Sequence, residues 1–352
     1  MRSAPPSGEA PTLRPTSAFI RALPKAELHL HLEGAIDPAT LTELAGNRGQ
    51  QLDPAMVRGW YGYTDFTGFL QCFRAITNYL ETPEDYELIT YRLMQRLAAE
   101  NVLHAEVYVS VGACLWWGRN FDEIFLGLER GRVRGERDFG VSLYWIFDAV
   151  RHFGAEMAMC VVESAVGLKH HESIIGFGIG GDESRAGPEL FPEVYAFATQ
   201  NGLRLTCHAG ETMGPESVWG AIRMLKTERI GHGLTCWKDP DLIAHLAEKQ
   251  IPIEVSVTSN LRTGCISALA EHPVRDYFDK GLLVTLNTDD PGIFETTIGV
   301  EYQIAQDTFG FTDAELRRLA VNSFKASFLP ENKKREYLKM INAIPAAQSP
   351  SK

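Results

Sequence analysis

No apolar run in this 352-residue chain approaches the ~20 residues that a membrane-spanning helix needs. No block of lysine or arginine stands out either, and 34 basic residues against 45 acidic ones leave a net charge of −11. That balance disfavours a nucleic-acid partner and otherwise bears only on solubility. The six cysteines (Cys72, Cys114, Cys160, Cys207, Cys236 and Cys265) include no C-x-x-C pair. Scattered through a chain of this length, they read as reduced, buried thiols of a cytoplasmic protein. Residues 1–17 are rich in Pro, Ser and Ala but lack an apolar segment, so a disordered tail is expected there and not a signal peptide. No glycine-serine or proline-rich linker and no short-period repeat divides the rest. With 45% hydrophobic residues, the chain can bury a full core, and 18–345 reads as a single domain.

What the chain does contain is four short signatures. They are Glu27-Leu28-His29-Leu30-His31, Thr206-Cys207-His208-Ala209-Gly210-Glu211, Arg229-Ile230-Gly231-His232-Gly233-Leu234 and Asn287-Thr288-Asp289-Asp290-Pro291. Each ends or interrupts an apolar, strand-like run. Together they supply three or four imidazoles and a carboxylate, enough to close a zinc site from four separated stretches.

Strand-like runs fall at 26–32, 102–110, 141–149, 174–180, 204–209, 229–234, 252–258 and 282–288. The segments between them carry helix signals. Asp37-Pro38 reads as an N-cap with proline at the first helical position, and Thr82-Pro83-Glu84-Asp85 repeats the arrangement. Tyr86, Ile89, Leu93, Met94 and Leu97 then mark one apolar face. Thr312-Asp313-Ala314-Glu315 is a capping box ahead of Leu316, Leu319 and Ala320. Eight strands alternating with helices predict an α/β fold, a closed (β/α)8 TIM barrel. The helical insert at about 37–100, after the first strand, is expected to cap the site.

Along a strand, side chains alternate, so Glu27, His29, His31 and Glu33 share one face and Leu28, Leu30 and Leu32 the other. If the leucines pack on the helices, both histidines point into the barrel. Two unpartnered core histidines in succession would be costly, which favours metal ligation. His208 ends the fifth strand, where a small turn lets Glu211 reach a substrate. His232 lies between glycines at the end of the sixth. Asp289 and Asp290 end the eighth, and adjacent carboxylates repel unless a cation or donor takes up one of them. Reactive residues of such barrels sit at the C-terminal ends of strands, and His29/His31, Gly181-Asp182-Glu183, His208/Glu211, His232 and Asp289/Asp290 all meet that condition. The remaining histidines carry less weight. His104 and His152 lie within or just past strands, while His170, His171, His245 and His272 are expected on the surface. Trp116-Trp117 and Phe66, Phe69 and Phe73 are expected to pack in the cap and core, although the phenylalanines could line a purine pocket.

As an ordered set, from Pro24-Lys25-Ala26-Glu27 through Gly180-Gly181-Asp182-Glu183 to Asn287-Thr288-Asp289-Asp290-Pro291, these residues resemble the adenosine/adenine deaminase family of zinc hydrolases over nearly the whole chain. The resemblance implies a (β/α)8 barrel, one Zn2+ per chain and hydrolytic replacement of the 6-amino group of a small-molecule 6-aminopurine, with release of ammonia. It implies His29, His31, His208 and Asp289 as zinc ligands, with water in the open position. His232 would orient that water and act as base, and Glu211, protonated, would donate to purine N1. Asp290 would hold the attacking hydroxide and contact N7, and Gly181 would meet N3. Substrate contacts would thus come from His31, Glu33, Gly181 and Asp290.

Two absences sharpen the resemblance. A lysine at the end of the fourth strand, common in binuclear relatives, is replaced by glycine, so one metal is expected. His31-Leu32-Glu33 matches the H-x-E of cytidine-type deaminases, but no P-C-x-x-C follows. The departure is Glu33, where adenosine deaminases usually carry Asp against the ribose 5′-hydroxyl. His-x-His-x-Glu-Gly is typical of enzymes acting on free adenine, whereas Thr258-Ser259-Asn260 and Asn287-Thr288-Asp289-Asp290-Pro291 look like the nucleoside branch. The resemblance therefore implies adenosine or a 5′-modified adenosine, such as the 6-amino-6-deoxyfutalosine of menaquinone biosynthesis, ahead of adenine. A non-catalytic purine-binding protein on the same fold would be expected to have lost ligands, and none is lost here.

Overall fold

The computed structural model describes residues 15–63, 66–168 and 171–345. Eight strands follow one another around a barrel in chain order: β1 (Lys25–His31), β2 (Val102–Val109), β3 (Ser142–Val150), β4 (Ile174–Gly180), β5 (Arg204–Ala209), β6 (Arg229–His232), β7 (Ile253–Val255) and β8 (Val284–Leu286). Every described pairing from β1 to β8 is parallel, as helical crossovers require. The eight strands fall on the eight expected runs. β7 is shorter than its run because the chain turns into the helix Val257–Arg262. β8 stops at Leu286 because the next three residues turn their polar groups onto β1.

That last contact closes the barrel. Asn287 Oδ1 accepts from the backbone N–H of Leu28 at 2.9 Å and of His29 at 3.2 Å, in place of a backbone carbonyl. One residue on, Glu27 accepts from the amide of Thr288 at 2.9 Å. Asp289 then makes a true parallel bridge, its N–H donating to His29 O at 3.0 Å and its carbonyl accepting from His31 N at 2.8 Å. The first and last signatures of the sequence are therefore two sides of one seam.

Leu28, Leu30 and Leu32 are fully buried on the outer side of β1, beneath the surrounding helices. The expected caps are present. Asp37 accepts from Thr40 N, and both Thr82/Asp85 and Thr312/Glu315 form reciprocal capping boxes. Between β1 and β2 the insert forms the helices Pro38–Asn47, Pro54–Tyr61, Phe66–Thr77 and Pro83–Ala99. The last of these buries Tyr86, Ile89, Leu93, Met94 and Leu97. Of the segment expected as a tail, residues 1–14 lie outside the described residues, and Ser17 caps the helix Ala18–Ala22. Among the described residues no helix is long and apolar enough to cross a membrane. Cys160 is exposed and Cys265 half-buried, which corrects the expectation that all six thiols are buried.

Candidate active site

Four side chains from two strand ends and the seam converge at the C-terminal mouth. His29, His31, His208 and Asp289 each offer one donor atom, and these atoms lie within 4.8 Å of one another. His31 Nε2 is 3.1 Å from His208 Nε2, and Asp289 Oδ1 is 3.3 Å from both His29 Nε2 and His31 Nε2. His29 Nε2 is buried with no hydrogen-bond partner. Burial lowers His31 to about 4 against the opposing charge of Asp289, and burial with the neighbouring imidazoles lowers His208 well below its ordinary value, so both are neutral imidazoles with a free lone pair. Three nitrogens, one of them buried without a hydrogen-bond partner, and one carboxylate oxygen fit a divalent metal ion.

The backbone is strained at this site. Asp289 and His232 have φ of 65° and 64°, the left-handed region that residues with side chains seldom enter. Such a conformation costs about 1–3 kcal/mol and persists only where the surroundings over-determine it. For Asp289 they do, through the seam bonds and through Ser259 Oγ, which donates to Oδ2 at 2.7 Å.

Beneath the cluster runs a buried ionic chain. His29 Nδ1 lies 2.8 Å from Glu254, Glu254 pairs with Arg229 Nε at 2.5 Å, Arg229 pairs with Glu106, and His104 Nε2 stands 3.2 Å from Glu106. Burial works against each charge. The Arg229 guanidinium nevertheless holds Glu106 down at about 2 and Glu254 below the ordinary carboxylate range. Burial also opposes a charge on His29, but the carboxylates of Asp289 and Glu254 beside it raise it to about 10. Of these residues only His29 is marked as a ligand by its motif; the ionic network is otherwise silent at the level of motifs. Its signal was a charge inside each of three apolar strands, which buried folds tolerate only when paired.

Above the cluster stand the groups expected to act on substrate. Glu211 Oε2 is 3.7 Å from His232 Nε2. Burial first, then the charges of Asp289 and Glu183, raise Glu211 to about 8, so its carboxyl is protonated at neutral pH. Its loop is held by Glu183, which accepts from the amides of Gly210, Glu211, Thr212 and Met213 at 2.6–3.1 Å. Burial and the adjacent Asp289 push Asp290 well above the carboxylate range, and its Oδ1 is buried without a partner. Gly181, at φ +90°, has no Cβ; one would lie 3.1 Å from His152 Nδ1. Burial lowers His232 to about 4.

These groups line a cavity of about 400 Å³. His31, Gly181, His208, Glu211, His232, Asp289 and Asp290 form its floor, together with Asp148 of β3, a buried carboxyl whose Oδ1 has no hydrogen-bond partner. Its outer walls are Phe69 and Phe73 from the insert and Trp116, Trp117 and Phe153 from the short helices that follow β2 and β3. Trp116 is 56% exposed and Trp117 39%, so the pair lines the cavity mouth, where packing in the cap and core was expected. The Trp116 ring stacks on Phe153 at 4.5 Å. Glu33 does not line the cavity; it accepts from Ser110 N at 3.0 Å and Ser110 Oγ at 3.3 Å, and Ser110 faces the cavity instead. His272, expected on the surface, is 4% exposed and bonded to Asn260. His245 and His171 are half-buried, and His170 and the Phe66 side chain lie outside the described residues.

Gly34 shows how tightly the floor is fitted. A Cβ there would lie 1.7 Å from Asp290 Oδ1 and 2.6 Å from Asp290 Cβ. Gly34→Ala is therefore expected to displace Asp290 and to destabilise the protein by about 1–3 kcal/mol. Thermal denaturation checks this, and an unchanged melting temperature would show that the packing here is looser than described.

Fold and site together define a (β/α)8 barrel enzyme with a His/His/His/Asp cluster fit for a metal at its C-terminal mouth. More particularly, the chain belongs to the adenosine deaminase family, whose pattern matches residues 24–344. It is a hydrolase acting on C–N bonds. It is 38% identical over 325 residues to the aminodeoxyfutalosine deaminase of Streptomyces avermitilis, covering 91% of both chains. Among solved structures, the adenine deaminase of Arthrobacter aurescens superposes with a TM-score of 0.86 at 32% identity, over 91% of this chain and 98% of that one. An amidohydrolase from Burkholderia ambifaria with bound Zn superposes with a TM-score of 0.86 at 30% identity, over 95% and 96% of the two chains.

Proposed function

We propose that this protein is a zinc-dependent hydrolase that replaces the 6-amino group of a purine nucleoside by oxygen and releases ammonia. The observation that carries this reading is Glu211, a buried carboxyl raised to about 8, in the same cavity as the metal cluster. A hydrolase working only on amides or phosphoesters has no evident use for an acid at that position.

One zinc ion held by His29, His31, His208 and Asp289 would supply a water molecule whose pKa is lowered to near neutrality. The chain's own groups do the rest. Glu211 donates its proton to purine N1, which makes C6 electrophilic. His232 orients the oxygen that adds at C6. Asp290, protonated or accepting, pairs with N7, and the Gly181 N–H pairs with N3. The water gives up one proton to solvent and its second to the amino group, so that ammonia leaves as the C6–N bond breaks, the oxygen stays on C6, and solvent re-protonates Glu211. The outer walls of the cavity exclude solvent while this occurs.

A nucleoside is favoured over a free base because the cavity continues past the floor to Phe69, Phe73, Trp116, Trp117 and Phe153. Adenine alone would leave these aromatic walls unfilled, whereas a ribose bearing an apolar 5′ group, as in aminodeoxyfutalosine, would cover them. The relative of that name supports the same ranking. One observation favours adenine: Glu33, in the position expected to meet the sugar, is turned onto Ser110. Adenosine, 2′-deoxyadenosine, adenine and aminodeoxyfutalosine assayed side by side for ammonia release separate these readings. A nucleoside is expected to exceed adenine in kcat/KM by about 10-fold or more. A clear preference for adenine would overturn the ranking.

A further inference from the structure

His232 presents Nε2 to the cavity, and whether that atom carries a proton decides what the residue does there. Two buried side chains and one backbone amide behind it bear on the question. The backbone N–H of Val274 donates to His272 Nδ1 at 3.1 Å. An amide N–H has no other option than to donate, so His272 Nδ1 holds a lone pair and the ring is neutral with its proton on Nε2. His272 Nε2 lies 3.1 Å from Asn260 Oδ1, which must therefore be the oxygen of the amide. A flipped amide would set two donors against each other. With the oxygen so fixed, the other end of the amide is Nδ2, and it donates to His232 Nδ1 at 3.3 Å. His232 Nδ1 thus accepts as well. All three residues are buried, His272 at 4%, Asn260 at 0% and His232 at 2% exposure, so solvent does not reset the order of the chain.

We propose that Val274, His272 and Asn260 form a tautomer relay that holds His232 as the Nε2–H form, making it a hydrogen-bond donor to the reacting oxygen and not its base. His272 and Asn260 are then positioning residues, which act only through His232. The left-handed backbone of His232 has a purpose in this arrangement, since it aims one ring nitrogen at Asn260 and the other past Glu211 into the cavity. This inference rests on the deaminase reading for the identity of the reacting oxygen, but the relay itself is independent of it. It also replaces the proton-accepting role that the family resemblance suggests for His232.

Nitrogen-15 NMR of histidine-labelled, metal-loaded wild-type protein reads both rings directly. The expected result at neutral pH is Nε2–H with an unprotonated Nδ1 for both His232 and His272. An Nδ1–H tautomer at His232 would overturn the proposal. Asn260→Asp gives a second readout, because a carboxylate only accepts and would draw the proton of His232 to Nδ1. It is expected to invert the His232 signature and to lower kcat by about 10²-fold with KM changed little. His272→Gln, which can still donate to Asn260, is expected to restore most of the activity that His272→Phe loses. Equal loss in Gln and Phe variants, with the His232 tautomer unmoved, would mean that His272 only packs. If no purine is deaminated by the wild type, the proposed function fails while the tautomer measurement still stands or falls on its own.

Discussion

Glu211→Gln is expected to lower kcat by about 10²- to 10⁴-fold while leaving metal content and melting temperature near those of the wild type. The two halves of this expectation have separate causes. Glutamine keeps the shape of the side chain and its ability to donate a hydrogen bond, but it has no proton to give to purine N1. The scaffold is indifferent to the change because Glu183, not the Glu211 side chain, ties down the loop amides. The only hydrogen bond described for the Glu211 side chain comes from the Cys265 thiol at 3.9 Å. The same assignment predicts the pH profile. Glu211 is raised to about 8 by burial and by Asp289 and Glu183, so it is protonated, and competent as an acid, below that pH. As pH rises through about 8 the carboxyl ionises, and kcat/KM is expected to fall about tenfold per unit. Steady-state rates from pH 5 to 10 (on the order of one unit per step) check this. Full activity in Glu211→Gln would remove N1 protonation from the mechanism, and a flat profile up to pH about 10 would remove the raised carboxyl.

What could be read from the sequence was what has a short range. The eight strands are apolar runs bounded by turn residues, and the two faces of β1 follow from alternation alone. His29 and His31 fell on the inner face because Leu28, Leu30 and Leu32 had to fall on the outer one. The caps at Asp37, Thr82 and Thr312 are local grammar and came out as read. The features that escaped depend on partners far away in the chain. His272 looked like a surface residue in a loop, and only the barrel brings it to Asn260 and so to His232. Arg229, Glu254 and Glu106 stand on three different strands, and no spacing rule links them. Trp116 and Trp117 failed for another reason: a large apolar pair is usually core, and whether it is packed or left at a cavity mouth depends on how far the next loop folds over it. Glu33 was expected to contact substrate, but its carboxyl is turned onto Ser110, at the start of a helix on a neighbouring strand end.

Removing a ligand should produce the largest effect of all. His29→Ala is expected to reduce bound zinc from near one per chain to a small fraction, and turnover with it, by about 10⁴-fold or more. Among the four proposed ligands His29 is the informative choice because it is held from below as well as above. Its Nδ1 is 2.8 Å from Glu254, and Arg229 fixes Glu254 in turn, so the ring is oriented before any ion arrives. With the Nδ1 proton committed to Glu254, Nε2 is the ring atom that faces Asp289, His31 and His208, and an ion arriving there would take the place of its proton. Glu254→Gln tests this separately. The amide keeps the volume but loses the charge that favours Nδ1–H, and metal affinity is expected to weaken about 10- to 100-fold while the chain still folds. Zinc titration and metal analysis of the dialysed protein measure both variants. Zinc should also raise the melting temperature of the wild type, because an ion at 100 times its dissociation constant adds about 2.7 kcal/mol to the folded state. The same titration should leave His29→Ala unmoved. Stoichiometric zinc in His29→Ala would exclude His29 as a ligand. An unchanged affinity in Glu254→Gln would show that the buried ionic chain supports the barrel without tuning the metal.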